Sequence, residues 1–230
     1  MPDVIQIAPE WHTHYPGATF GALILRGVIN PQRHPALNAA ATALETELRQ
    51  EFGDLEQAAL RATPPLPAYA AYYKRFGQRY HVARQLESVV HQNKPLPRVA
   101  ALVEAMFMAE LRNLVLTAGH DLDAIAGPVQ LAIGAGSEEY QTLAGRTASV
   151  KAGDMFTADS RGVLSAIVTG PADYAAITPD TTNLLLIAYA PAGIAVDLME
   201  HHLVNLEAHV RLIAPDCERA YRLAATADAS

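Results

Sequence analysis

Between residues 97 and 133 the apolar residues change period, and no other feature constrains the fold as much. Over residues 97–117, Val99, Leu102, Val103, Met106, Phe107, Leu111, Leu114 and Val115 recur at helical intervals. The spacing predicts a helix with a wide apolar face, buried in the centre of the molecule. After Gly127 the interval falls to two, through Val129, Leu131 and Ile133. Side chains of a strand point alternately to its two faces, so this pattern predicts a half-buried strand.

The flanking segments extend the same division. Residues 4–7 and 19–28 read as short strands. Residues 35–52 place Leu37, Ala41, Leu44, Leu48 and Phe52 on one helical face, and Gly53 ends it. Residues 67–76 read as a short helix closed by Gly77, and Val82, Leu86, Val89 and Val90 mark another. Prolines at 64, 65 and 67, and again at 95 and 97, stiffen the joints between them. Apolar runs at 140–143, 163–169 and 183–189, separated by turn residues, read as further strands. Residues 195–213 return to helical spacing through Val196, Met199, Leu203, Leu206 and Val210. Helices, then strands, then a helix predict an α+β fold. The expected architecture is a single domain over residues 1–230, with an N-terminal helical layer packed on a mixed or antiparallel sheet.

The charge is unevenly spread. The 230 residues hold 17 Lys and Arg against 24 Asp and Glu, a net charge of −7. Yet Lys74, Arg75, Arg79, Arg84, Lys94 and Arg98 crowd residues 72–98 against one acid, Glu87. The overall balance argues against a general coater of nucleic acid, and no DNA sequence reading is expected. The local excess fits an anion-facing surface or a solvated pair of helices. Cys217 is the one cysteine, so no intrachain disulfide is expected. No secretory pattern opens the sequence, and its longest uncharged apolar run falls short of the ~20 residues of a membrane helix. A cytoplasmic protein without membrane association is expected.

Few residues carry an obvious chemistry. Gly119-His120-Asp121 reads as a turn after the long helix, where His120 could act as a base or satisfy the last carbonyls. Asn113 sits on an otherwise apolar face, and a buried amide needs partners, from a loop or a ligand. Glu138 and Glu139 fit an exposed hairpin turn better than paired acid–base work. Trp11-His12-Thr13-His14 could present two imidazoles on one strand face. His201, His202 and His209 lie on one predicted helix without metal-binding spacing. No metal site and no cofactor is expected, because no HExxH, cysteine cluster or glycine-rich nucleotide loop occurs.

Several short pieces occur in a telling order. They are Tyr73-Lys74-Arg75-Phe76-Gly77, Lys94-Pro95-Leu96-Pro97, residues 113–116, Gly119-His120-Asp121-Leu122-Asp123 and Glu138-Glu139 with Thr142-Leu143-Ala144-Gly145. Gly153-Asp154, Ala158-Asp159, Gly162-Val163-Leu164 and Thr181-Thr182-Asn183-Leu184-Leu185-Leu186 follow. Together, over roughly residues 67–193, they resemble the B3/B4 domain of the phenylalanyl-tRNA synthetase β subunit, in the form of stand-alone proteins built from that domain. Nothing resembles a synthetase catalytic core, so aminoacylation is not implied. In the synthetases the domain hydrolyses tyrosine wrongly attached to the phenylalanine tRNA, an error that an apolar pocket alone discriminates poorly.

The resemblance implies an RNA-associated protein that binds aminoacyl-tRNA or its aminoacyl end, with deacylation as a possible activity. It assigns Asn113 and His120 to the catalytic pocket, Val168, Thr169 and Gly170 to a substrate-binding segment bulkier than the family's glycine-rich one, and the basic residues 74–98 to RNA. Ile187 belongs to the same substrate-binding set and stands where the synthetases carry a glutamate on the strand, a departure that argues against tyrosine as the substrate. Two other readings stay open: a module that binds an amino-acid-like small molecule in the same pocket without RNA, and an interaction protein whose pocket is filled by its own side chains.

Overall fold

The computed structural model describes residues 4–227. The chain begins with β1 (Ile5–Ile7), α1 (Pro9–His14) and β2 (Thr19–Arg26). Five helices follow: α2 (Pro35–Phe52), α3 (Gln57–Arg61), α4 (Leu66–Arg75), α5 (His81–His91) and α6 (Ala101–Asn113). Then come β3 (Leu116–Asp121), β4 (Val129–Ile133), β5 (Glu139–Gln141), β6 (Thr147–Ser149), β7 (Met155–Asp159), β8 (Gly162–Ala166), β9 (Gly170–Pro171) and β10 (Asn183–Ala190). Helix α7 (Val196–Arg211) and strand β11 (Glu218–Thr226) complete the described residues.

The strands form an antiparallel sheet in the order β11-β2-β10-β3 and a mixed sheet in the order β1-β4-β7-β8-β9, with β5 and β6 paired separately. The fold is therefore α+β. Strand β10 lies between β2 and β3, and after Asn183 every one of its residues is buried. Both of its faces are covered. A Cβ on Gly21 of β2 would come within 2.5 Å of Met199 Sδ on α7, so that helix lies tight against one face. On the other face the Tyr189 hydroxyl reaches Thr157 Oγ1 of β7 at 2.7 Å and Ser165 Oγ of β8 at 2.8 Å. A strand covered on both faces needs apolar residues throughout, which is why β10 reads Leu-Leu-Leu-Ile-Ala-Tyr-Ala without alternation.

Three local expectations are corrected. The helix predicted over residues 97–117 runs only to Asn113, and Leu114 turns the chain in a left-handed conformation with φ 57°. Pairing with β10 then draws residues 116–121 into a strand, and tertiary partners override a helical period here. Gly119-His120-Asp121 is consequently the end of β3 rather than a turn. Trp11 to His14 lie in α1 rather than on a strand face, with Trp11 wholly buried and His14 exposed.

Candidate functional site

A cavity of about 320 Å³ opens beside β3, the edge strand of the antiparallel sheet. Helix α6 forms one wall through Val103, Met106, Phe107 and Glu110, and β3 forms the floor from Leu116 to Gly119. Ser165, Ile167, Gly170, Ile177 and Tyr189 close the far side. The volume is within the usual range of small-ligand sites, and the lining is mostly apolar.

Glu110 is the one acid among the lining residues. Its side chain is only 1% exposed. Oε1 accepts the Thr117 N–H at 2.8 Å, whereas Oε2 has no hydrogen-bond partner among the described residues. Burial pushes the carboxyl up from its ordinary value near 4.5 to about 8, against the pull of the Thr117 bond. It is therefore mostly protonated at neutral pH.

The main chain of β3 adds polar groups to the same wall. Thr117 N is bonded to Glu110 and Asp121 N to the Ala175 carbonyl, so both point away from β10. In an antiparallel strand the outward direction repeats every second residue, and Gly119 therefore turns its N–H and C=O the same way. A Cβ on Gly119 would meet Ile177 Cδ1 at 2.7 Å and Met106 Sδ at 3.3 Å, both in the cavity wall. A side chain at position 119 would have to displace these groups, so the close packing here requires glycine.

The predicted site residues are placed unevenly. Gly170 is part of the cavity wall. Asn113 points instead at α7: its Nδ2 approaches His202 Nδ1 at 3.2 Å, and its Oδ1 accepts from Asn205 at 3.0 Å. His120 is fully buried behind β3, with Nε2 3.3 Å from Ser165 Oγ, and burial pushes its imidazole down to about 4. Thr169 accepts from the Tyr140 hydroxyl at 2.7 Å and lines a separate surface groove. Val168 donates its N–H to Asp154 at 3.0 Å, and Ile187 is buried in β10 opposite Ala118. Glu138 caps its own turn by accepting N–H groups of Ala135, Gly136 and Ser137, while Glu139 lies exposed in β5.

The six predicted cations divide four to two. Lys74, Arg79 and Arg84 line a groove along α4 and α5, and Arg84 continues with Lys94 into a second one. All four are exposed. His81 lines both this second groove and the apolar cavity, so the basic track reaches the cavity mouth. Arg75 instead lies over the rings of Tyr15, Tyr72 and Phe76, with its Cζ 5.3 to 5.6 Å from their centroids. Arg98 bridges Glu45 at 3.0 Å and the wholly buried Glu104 at 3.2 Å. Replacing Arg98 by Ala is expected to lower stability by about 1–3 kcal/mol, because it takes the ion pair from the buried Glu104, whereas Glu45 keeps Leu96 N–H and Arg49. Lys74→Ala should change it by less than about 0.5 kcal/mol. Urea unfolding of the two variants makes the comparison.

Residues 68–212, well over half the chain, match the B3/4 domain family. The chain belongs to that family. The matched span runs from α4 to the end of α7, and it includes both walls of the cavity and the basic track. A solved structure similar to this B3/4 chain is an N-terminal fragment of the phenylalanyl-tRNA synthetase β subunit from Pyrococcus horikoshii. The two share 9% identity at a TM-score of 0.49, over 97% of this chain and 54% of that one. The chain thus spans about half the length of the fragment it matches. No curated protein matches it. Among the described residues, no helix is long and apolar enough to cross a membrane.

Glu110 was missed in the sequence, although a signal was present. It follows Val103 and Phe107 by seven and three residues, which puts a carboxylate in the middle of the apolar stripe.

Proposed function

We propose that this B3/4 protein binds an aminoacyl group in the cavity beside β3, with the RNA that carries it lying along the basic track. The observation that supports the reading is the meeting of the two at His81, where an apolar cavity adjoins a surface of exposed cations. An aminoacyl-tRNA end combines the same two chemistries, an apolar or polar side chain on one atom and a run of phosphates behind it. Lys74, Arg79, Arg84 and Lys94 supply the phosphate contacts on this reading, and Gly170 and the α6 wall supply contacts to the side chain.

Four phosphate contacts give a log–log salt slope of about −3. The expected result is tRNA binding with that slope, and a slope near zero with much weaker binding for the variant carrying Lys74→Ala, Arg79→Ala, Arg84→Ala and Lys94→Ala. Mischarged tRNAs in the same samples report whether the ester is hydrolysed as well as bound. Failure to bind any tRNA at low salt would remove the RNA half of the reading.

A second reading is favoured by the fate of Arg75 and Arg98, which are engaged by aromatic rings and by buried acids. With two of six cations withdrawn, the cavity could serve a free amino-acid-like molecule. That reading predicts a rise in unfolding temperature with such a ligand, in a protein that ignores RNA.

A further inference from the structure

The cavity wall contains a buried polar side-chain atom that no described residue answers. Glu110 Oε2 is buried without a partner among the described residues, on a side chain that lines the mostly apolar cavity, while its twin Oε1 is held by Thr117 N–H. A buried, unpaired carboxyl oxygen is costly, and such a group persists where a partner from outside satisfies it. Two residues further along β3, Gly119 turns its own N–H and C=O out of the sheet on the same side as Thr117. The wall thus places an acidic side chain, a main-chain donor and a main-chain acceptor along one strand edge, in a lining that is otherwise mostly apolar.

We propose that Glu110 is a specificity residue of this cavity, holding the ammonium group of an amino-acid-type ligand on Oε2 while the outward N–H of Gly119 takes the ligand's carbonyl oxygen. This rests on the aminoacyl reading of the cavity and adds to it the group that tells an α-amino acyl chain from a plain acyl chain. The apolar residues of α6 cannot make that distinction. An ammonium is the fitting partner because it satisfies the carboxyl in its ionised form and restores the charge that burial suppresses. A ligand without the amine leaves Oε2 as it is in the empty cavity.

Two probes settle the matter: an L-amino acid amide with an apolar side chain, and the same amide with hydrogen in place of the α-amino group. Calorimetry measures both against the wild-type chain and against Glu110→Gln, whose fold is checked by thermal unfolding. Glutamine keeps an acceptor for Thr117 N–H and cannot form the ion pair. In the wild type the amine-bearing probe is expected to bind about 10- to 100-fold more tightly. In Glu110→Gln the two should fall within about threefold of each other, through loss of affinity for the amine alone. Equal affinities in the wild type, or the full ratio surviving in Glu110→Gln, would overturn the role of Glu110 and leave the cavity as the ligand site. No binding of either probe to either protein would overturn the cavity reading and this inference together.

Discussion

Asp154→Ala is expected to lower the stability of this protein by about 3–5 kcal/mol, the largest loss from any single polar side chain considered. Asp154 is wholly buried immediately before β7. Its Oδ1 accepts the Tyr72 hydroxyl at 2.6 Å and its Oδ2 accepts Val168 N–H at 3.0 Å. The Tyr72 oxygen in turn accepts Met155 N–H at 2.8 Å. One carboxylate therefore ties α4 to the mixed sheet, and the adjacent Gly153 carbonyl accepts the Tyr15 hydroxyl from the segment after α1. Truncation to alanine leaves a main-chain donor and a phenol donor buried without acceptors. Asp154→Asn should cost roughly half as much. Its oxygen still serves Val168, but its NH2 group cannot accept the Tyr72 proton. Denaturant unfolding at pH 7 measures both, and equal stabilities for wild type and Asp154→Ala would show the tie to be unimportant.

Glu110→Gln is expected to raise stability by an amount that depends on pH. The folded carboxyl titrates at about 8 and the unfolded one near 4.5, so between these values only the native state holds the proton. Stability then falls as pH rises through that window, by on the order of a few kcal/mol in all. His120 and His202 act in the opposite sense. Burial pushes them down to about 4 and about 3, so the unfolded state takes up their protons first as pH drops below 6.5. Between about pH 4.5 and 6.5 the acid and the histidines partly cancel, and the wild-type profile is shallow. Above pH 6.5 Glu110 acts without that compensation. The glutamine variant should lose the decline from pH 6.5 to 8 and gain a steeper rise from pH 4.5 to 6.5. Unfolding midpoints at half-unit pH steps test this, and parallel profiles for the two proteins would contradict the buried, proton-holding state of Glu110.

The α+β class was legible in the sequence because periods of 3.6 and 2 are imposed by burial itself, and the long apolar runs of β2 and β10 obey the rule for strands covered on both faces. The end of α6 was not legible. Leu114 and Val115 continue its apolar face, and only the pairing of 116–121 with β10 decides that the chain extends there. The same error placed His120 in a supposed turn, although it belongs to the sheet. The basic residues 74–98 were legible as a cluster. Their division was not, because Glu45 and Glu104, which hold Arg98, lie 53 residues before it and six residues after it, on two different helices. Glu110 was hidden by the opposite effect, a single acid read as part of an apolar helix.

The central claim is that one ligand engages both the cavity and the basic track, and the two halves respond differently to salt. The decisive measurement is the affinity for an aminoacylated tRNA and for the same tRNA deacylated, each between 50 and 200 mM salt. Phosphate contacts make both affinities fall by roughly a hundredfold over that range. The buried aminoacyl contacts are screened far less. The account predicts that the charged form binds at least about tenfold more tightly and that this ratio stays constant as both affinities fall. A ratio of one at every salt concentration would contradict it.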